Sequence, residues 1–264
     1  EFDYAATSAT TGTTFSWERK PAAGITTTAP ASGTGARVEH VLTNTTPNPI
    51  DVTYTYTLTA NGCSNTQDVV VRVNPRPQLS TTVTPAAICS GATFSYAPDS
   101  DTEEASFVWT RIAPASITGG TTSGTGSISQ ALTNTSVNPV NVIYRFTTSA
   151  NSCAGTSQDV VVTVNPSPKL NSQLTANVCS GSTFSYAPTS ATEGATFSWS
   201  RAASGGNAAS SGPGNISEVL TNTTTAPITV TYEITTRANG CDGAPQNLVV
   251  TINPRPVLNS LLTA

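Results

Sequence analysis

The chain has 264 residues, 10% of them charged and 37% hydrophobic, with a formal net charge of −4 and a single histidine. That balance excludes the clustered Lys and Arg footprint that nucleic acid demands, and no apolar run reaches the ~18 residues that would span a bilayer. Regular hydrophobic patterning excludes disorder, while Thr, Ser, Asn and Gly in place of charges suit pleated surfaces and turns.

The predicted elements recur with a period of about 90 residues, the mark of a tandem array. Repeat 1 opens on Phe2-Asp-Tyr4 and passes through Trp17-Glu-Arg19 and the turn Val41-Leu-Thr-Asn-Thr-Thr46. It then reaches a strand in which Ile50, Val52, Tyr54, Tyr56 and Leu58 alternate with polar residues, and closes on Asn74-Pro-Arg-Pro77. Repeat 2 presents Phe94-Ser-Tyr96, Trp109-Thr-Arg111, Ala131-Leu-Thr-Asn-Thr-Ser136, Val142-Ile-Tyr144 and Asn165-Pro-Ser-Pro168 in the same order.

In repeat 3, residues 169–175 read as the first strand, 182–187 as the second and 196–201, around Trp199, as a central one. Residues 202–214, rich in Gly, Ser and Ala, read as a surface loop, and 215–221 as the strand after it. Ile228, Val230, Tyr232 and Ile234 alternate with Thr229, Thr231, Glu233 and Thr235, the period of a half-buried strand. Asn239-Gly240 then turns the chain into 246–252, a strong hairpin signal.

About seven short strands per unit and no helical period predict an all-β fold: tandem immunoglobulin-like two-sheet sandwiches. Trp17, Trp109 and Trp199 with Tyr54, Tyr144 and Tyr232 are the predicted core. The units run over 1–77, with its first strand missing, 78–168 and 169–256, and residues 257–264 open a further one. With no Met, no signal peptide and Glu1 in mid-repeat, both ends read as cuts through a longer array. The Asn-Pro-x-Pro segments are short, stiff linkers, because each proline fixes φ and removes a donor. Strands of about ten to twelve residues rise ~3.3 Å each, so three units in line would reach about 100–120 Å.

Five cysteines fall into two classes. Cys89 and Cys179 precede the Phe-Ser-Tyr strand, while Cys63, Cys153 and Cys241 follow the tyrosine strand. One of each per repeat predicts disulfides and an oxidising, extracellular setting. The pairing expected first is Cys89–Cys153 and Cys179–Cys241, with the partner of Cys63 outside the chain. Pairing between domains (Cys63–Cys89, Cys153–Cys179) or between chains stays open, because in plain immunoglobulin topology the two classes lie at opposite ends of the sandwich.

No other constellation carries chemistry. There is no Cys-x-x-Cys, and His40, which matches Gln130 and Glu218, reads as an exposed strand residue, so no metal site is expected. One histidine cannot serve a serine nucleophile in three like domains, so the chain is read as non-catalytic and free of cofactors. Asp99-Ser-Asp-Thr-Glu-Glu104 has carboxylates that could meet calcium in a loop, but the other repeats lack them and a solvated loop is expected. Arg19, Arg111 and Arg201, two residues after each Trp, are predicted to stack on an aromatic ring or pair with a strand acid. Asn44, Asn134, Asn222 and Asn215 fit the glycosylation pattern; the first three mark the recurring turn, where Asn is favoured for local hydrogen bonds.

Val178-Cys-Ser-Gly-Ser-Thr-Phe-Ser-Tyr186, Phe197-Ser-Trp199, Leu220-Thr-Asn-Thr-Thr224, Val230-Thr-Tyr232, Asn239-Gly-Cys241 and Ile252-Asn-Pro-Arg-Pro256 together resemble the PKD-like domain repeated in giant secreted proteins of Bacteroidota. The resemblance covers essentially the whole chain. It implies an immunoglobulin-like sandwich at the cell surface, in gliding-motility adhesins secreted by the type IX system or in surface filaments. The Trp-Asp-Phe-Gly-Asp-Gly motif of typical PKD domains is replaced here by Trp-x-Arg. On this reading the chain is a stiff, disulfide-reinforced spacer whose partners are other copies of itself, in a filament or bundle, or cell-surface and substratum ligands. A glycan-binding module and accessory domains beside a secreted enzyme are the alternatives; the 202–214 stretch offers no aromatic ring to stack on a sugar.

Overall fold

The computed structural model describes residues 1–258. The strand expected over 257–264 lies outside them apart from Val257 and Leu258. Among the described residues every regular element is a strand.

Repeat 3 shows the plan. Alternation along Ile228–Ala238 buries Val230, Tyr232, Ile234 and Ala238 and turns Thr231, Glu233 and Arg237 outward. This long strand lies at the centre of the larger sheet. Gln246–Asn253 pairs antiparallel on one side, with Tyr232 opposite Leu248. Thr196–Arg201 pairs on the other, with Trp199 opposite Ile234. The edges are Ser210–Pro213, antiparallel, and Thr175–Cys179, parallel to the last strand. The facing layer is a ribbon of Thr183–Tyr186 against Ile216–Val219. Those seven strands, with the two-residue Cys241–Asp242 hung on the long strand, make one sandwich.

The core between the layers contains Phe184, Trp199, Ile216, Leu220, Tyr232, Ile234, Leu248 and Ile252. Trp199 meets Tyr232 edge-on with ring centroids 5.6 Å apart, a favoured aromatic geometry. The same pair recurs as Trp109–Tyr144 at 5.5 Å and Trp17–Tyr54 at 6.0 Å. All six aromatic residues are buried.

Three local findings correct the sequence reading. The first strand of repeat 3 is Thr175–Cys179 rather than 169–175, where Leu170 makes only an isolated bridge to Ser190. Pairing beside the last strand lets Ala176 and Val178 pack on the core, so Cys179 ends this strand and the Ser-Gly turn follows it. Residues 202–214 are not all loop. Ser210–Pro213 is an edge strand because Gly212 lies directly opposite Trp199. A Cβ on Gly212 would sit 3.0 Å from the indole, and on Gly33 and Gly124, at the same place in repeats 1 and 2, 2.5 and 2.4 Å. The ring therefore demands a residue without a side chain beside it. Finally, His40 is buried rather than exposed.

Candidate functional site

Two places gather polar side chains: a cluster inside each sandwich, and the junctions between repeats.

The inner cluster explains His40. It follows Val38 at a spacing of two on the strand Arg37–His40, so it turns to the core face. There its Nδ1 lies 2.8 Å from the Tyr54 hydroxyl. Gln130 takes the same place in repeat 2, its Oε1 accepting the Tyr144 hydroxyl at 2.8 Å. In repeat 3 Glu218 accepts the Tyr232 hydroxyl, and Arg201 pairs with it, Nε to Oε2 at 3.1 Å. Arg201 also stands over the Tyr232 ring, 5.5 Å from its centroid. Arg111 donates instead to the Gly119 carbonyl at 2.6 Å and reaches Gln130 at 3.4 Å.

Electrostatics follow these partners. Burial pushes the Glu218 carboxyl up, but donors from Ser210, Tyr232 and Arg201 outweigh it and hold the group below its ordinary value. Burial, reinforced by Glu218, raises the Tyr232 phenol well above its usual range. Burial, then the Arg19 charge, lowers His40. Each cluster holds a phenol to its partner across the two layers, which is packing chemistry.

The same set of Asn, Gln and Gly contacts recurs at two boundaries. The linker asparagines reach into the next repeat's hairpin, Asn74 Nδ2 donating to Asn151 O at 3.1 Å and Asn165 Nδ2 to Asn239 O at 3.0 Å. After each linker the backbone N–H of Leu79 or Leu170 donates to Gln158 or Gln246 Oε1, both at 2.7 Å. Gly155 and Gly243 lie against the linker itself. A Cβ there would come within 1.8 Å of the Pro77 carbonyl oxygen or 1.9 Å of that of Pro168. The recurring turn asparagine supports the linker end of the sandwich: Asn222 Nδ2 donates to Ala226 O and Ile252 O, both at 2.8 Å, and Oδ1 accepts Thr224 N. Asn44 and Asn134 do the same, and all three are buried, so the turn role accounts for them; Asn215 is exposed.

One disulfide crosses the second junction, joining Cys89 of repeat 2 to Cys241 of repeat 3, with Cα atoms 5.6 Å apart. The expected pairs Cys89–Cys153 and Cys179–Cys241 do not form, nor do Cys63–Cys89 and Cys153–Cys179. The physical reason is position along the sheet. Cys89 pairs beside Asn165, at the linker end of the last strand, while Cys153 lies at the hairpin end, opposite Ala150. About ten strand residues at ~3.3 Å each put some 30 Å between them, and a disulfide needs Cα atoms within about 7 Å. Repeats meet linker end to hairpin end, so the first-class cysteine of one repeat reaches the second-class cysteine of the next. Cys63 and Cys179 are exposed thiols, and Cys153 is half-buried.

Among the described residues, no three His, Cys, Asp or Glu side chains converge as a metal group. The Asp99–Glu104 segment stays a loop, where Asp99 Oδ1 accepts the Ser100 N–H. Sequence reasoning missed Gly155, Gly243, Gln158 and Gln246 as junction residues. Their signal is an extra residue between cysteine and glutamine in repeats 2 and 3 relative to repeat 1.

A search of curated proteins finds no match. Among solved structures, an I-band fragment from titin aligns at 11% identity over 94% of this chain and 89% of that one, with a TM-score of 0.44. Mouse cadherin-23 EC22-24 aligns at 9% over 92% and 86%, TM-score 0.33. The FN1-FN3 domains of chicken CNTN1 align at 10% over 91% and 88%, TM-score 0.29. The family model described as the PKD-like domain matches residues 1–77, 86–168 and 176–256. With three consecutive matches that span nearly all of its length, the chain belongs to the PKD-like domain family.

Proposed function

We propose that this chain is a non-catalytic structural segment of a large cell-surface adhesin or extracellular filament, in which PKD-like repeats serve as a stiff spacer. The observation that carries the reading is the junction. The same Asn, Gln and Gly contacts fix both boundaries, and a covalent bond adds to the second. A flexible linker would need none of these. The disulfide supports an extracellular setting, since such bonds persist in oxidising compartments. Binding to a surface then belongs to lateral contacts between copies or to other domains of the protein.

The test is negative-stain imaging with small-angle scattering on the oxidised chain over a range of concentrations. Straight particles of about 100–120 Å are expected, with the angle between repeats 2 and 3 spread more widely in Cys89→Ser. Particles that bend freely at both boundaries would contradict the spacer reading. Ordered fibres growing with concentration would assign these domains the assembly surface as well.

A further inference from the structure

The last strand of repeat 1, Cys63–Val73, has no neighbour on its outer edge among the described residues. Its counterparts do. Gln158–Asn165 carries Ile88–Cys89 there, and Gln246–Asn253 carries Thr175–Cys179, both parallel. The difference shows in the core. Val160, Val162 and Val164, like Leu248, Val250 and Ile252, are fully buried, whereas Val69, Val71 and Val73 are only half-buried. Phe2 and Leu42 are also half-buried, although Phe94, Phe184, Leu132 and Leu220 are buried.

A cleft of about 440 Å³ follows this edge, lined by Phe2, Leu42, Val71, Val73, Asn74 and Cys153. In repeat 2 Ile88 packs on the matching part of the core, and in repeat 3 Ala176 and Val178 do. Cys153 stands at the end of the cleft as Cys241 stands at the next junction, and Asn74 holds its hairpin as Asn165 holds the other. There Cys241 is bonded to the cysteine that ends the inserted strand.

We propose that this edge is an acceptor for a β-strand of the PKD-like repeat type, supplied from outside residues 1–258 and captured covalently by Cys153. The incoming segment resembles Thr175-Ala-Asn-Val-Cys179. It runs parallel to Cys63–Val73, and by the register of repeat 3, where Val178 and Cys179 face Ile252 and Asn253, its Val lies beside Val73 and its Cys beside Asn74. Alternate side chains fill the cleft while the backbone pairs with the bare edge, the mode called strand addition. The sulfur–sulfur bond forms as two thiols lose two protons and two electrons to a low-molecular-weight disulfide, which is reduced to two thiols. The inference stands on the edge and the cleft and does not depend on the stiffness of the array.

The test uses the full chain and a synthetic peptide of sequence Lys169–Ser182, in a buffer of reduced and oxidised glutathione. Peptide mapping without reductant should find the peptide on Cys153 at least tenfold more often than on Cys63 or Cys179, and amide exchange should slow across residues 69–74. A peptide with serine in place of its cysteine should keep the slowed exchange, and Cys153→Ser protein should lose only the covalent capture. Equal capture at the three thiols, equal capture of a scrambled peptide, or unchanged exchange at 69–74 would each overturn the proposal. None of those results bears on the Cys89–Cys241 bond or on particle shape, so the spacer reading is judged separately.

Discussion

Replacing Cys89 or Cys241 with serine should destabilise repeat 3 far more than repeat 1. With repeat 2 folded, Cys89 is fixed beside Asn165 by strand pairing. Opening repeat 3 with the bridge intact therefore leaves a closed loop from Asn165 to Cys241, about 75 residues long, and the chain-entropy relation gives about 4.5 kcal/mol for such a loop at 25 °C. For a domain of this size each kcal/mol moves the midpoint by roughly 4–8 °C, so the repeat 3 transition should fall by about 20–35 °C. Differential scanning calorimetry of Cys89→Ser, Cys241→Ser and the double variant reads this directly. All three should agree, because each removes the same cross-link, and Cys63→Ser should change nothing. A normal transition in Cys89→Ser, with a lowered one in Cys179→Ser, would refute the reasoning and restore a bridge within repeat 3.

Gly243→Ala should lower the stability of repeat 3 by about 1–3 kcal/mol, read by chemical denaturation, because its Cβ would meet the Pro168 carbonyl at 1.9 Å. Asn222→Ala should cost about 2–3 kcal/mol in the same assay, since it strands the Ala226 and Ile252 carbonyls and the Thr224 N–H. Repeat 1 should weaken as pH falls. The folded state holds the His40 imidazole below its ordinary value, so the unfolded state takes the proton first. The contribution is whole above about pH 6.5 and declines below it. Amide exchange of repeat 1 residues between pH 8 and pH 5 should show the loss, and His40→Gln, which copies repeat 2, should remove it.

The sandwich was legible because burial on one face imprints a period of two. Ile228 to Ile234 display it, and the three tryptophans mark the same strand in each repeat. His40 was legible by the same rule and was misread: Val38 two residues earlier already points inward. The disulfide was not legible. Spacing sorts cysteines into classes, but which end of a sheet each occupies depends on whether the first strand runs parallel to the last, and that pairing is non-local. Gly212, within the stretch read as loop, is likewise explained only by the indole of Trp199 on the strand paired with it, and Gly33 and Gly124 stand beside Trp17 and Trp109 for the same reason.

The bond between Cys89 and Cys241 also decides where tension would travel if the chain were pulled from its two ends. The shortest covalent path leaves the backbone at Cys89, crosses two sulfur atoms and rejoins it at Cys241, bypassing a sequence separation of 152 residues. A chain of that length could otherwise extend to about 500 Å. Most of repeats 2 and 3 therefore lies in a side loop that carries no load, and heat or denaturant can open those folds while pulling cannot release their length. Repeats 2 and 3 joined this way behave under load as a strap of nearly fixed length, whereas repeat 1, outside the loop, yields its length as soon as its own fold opens.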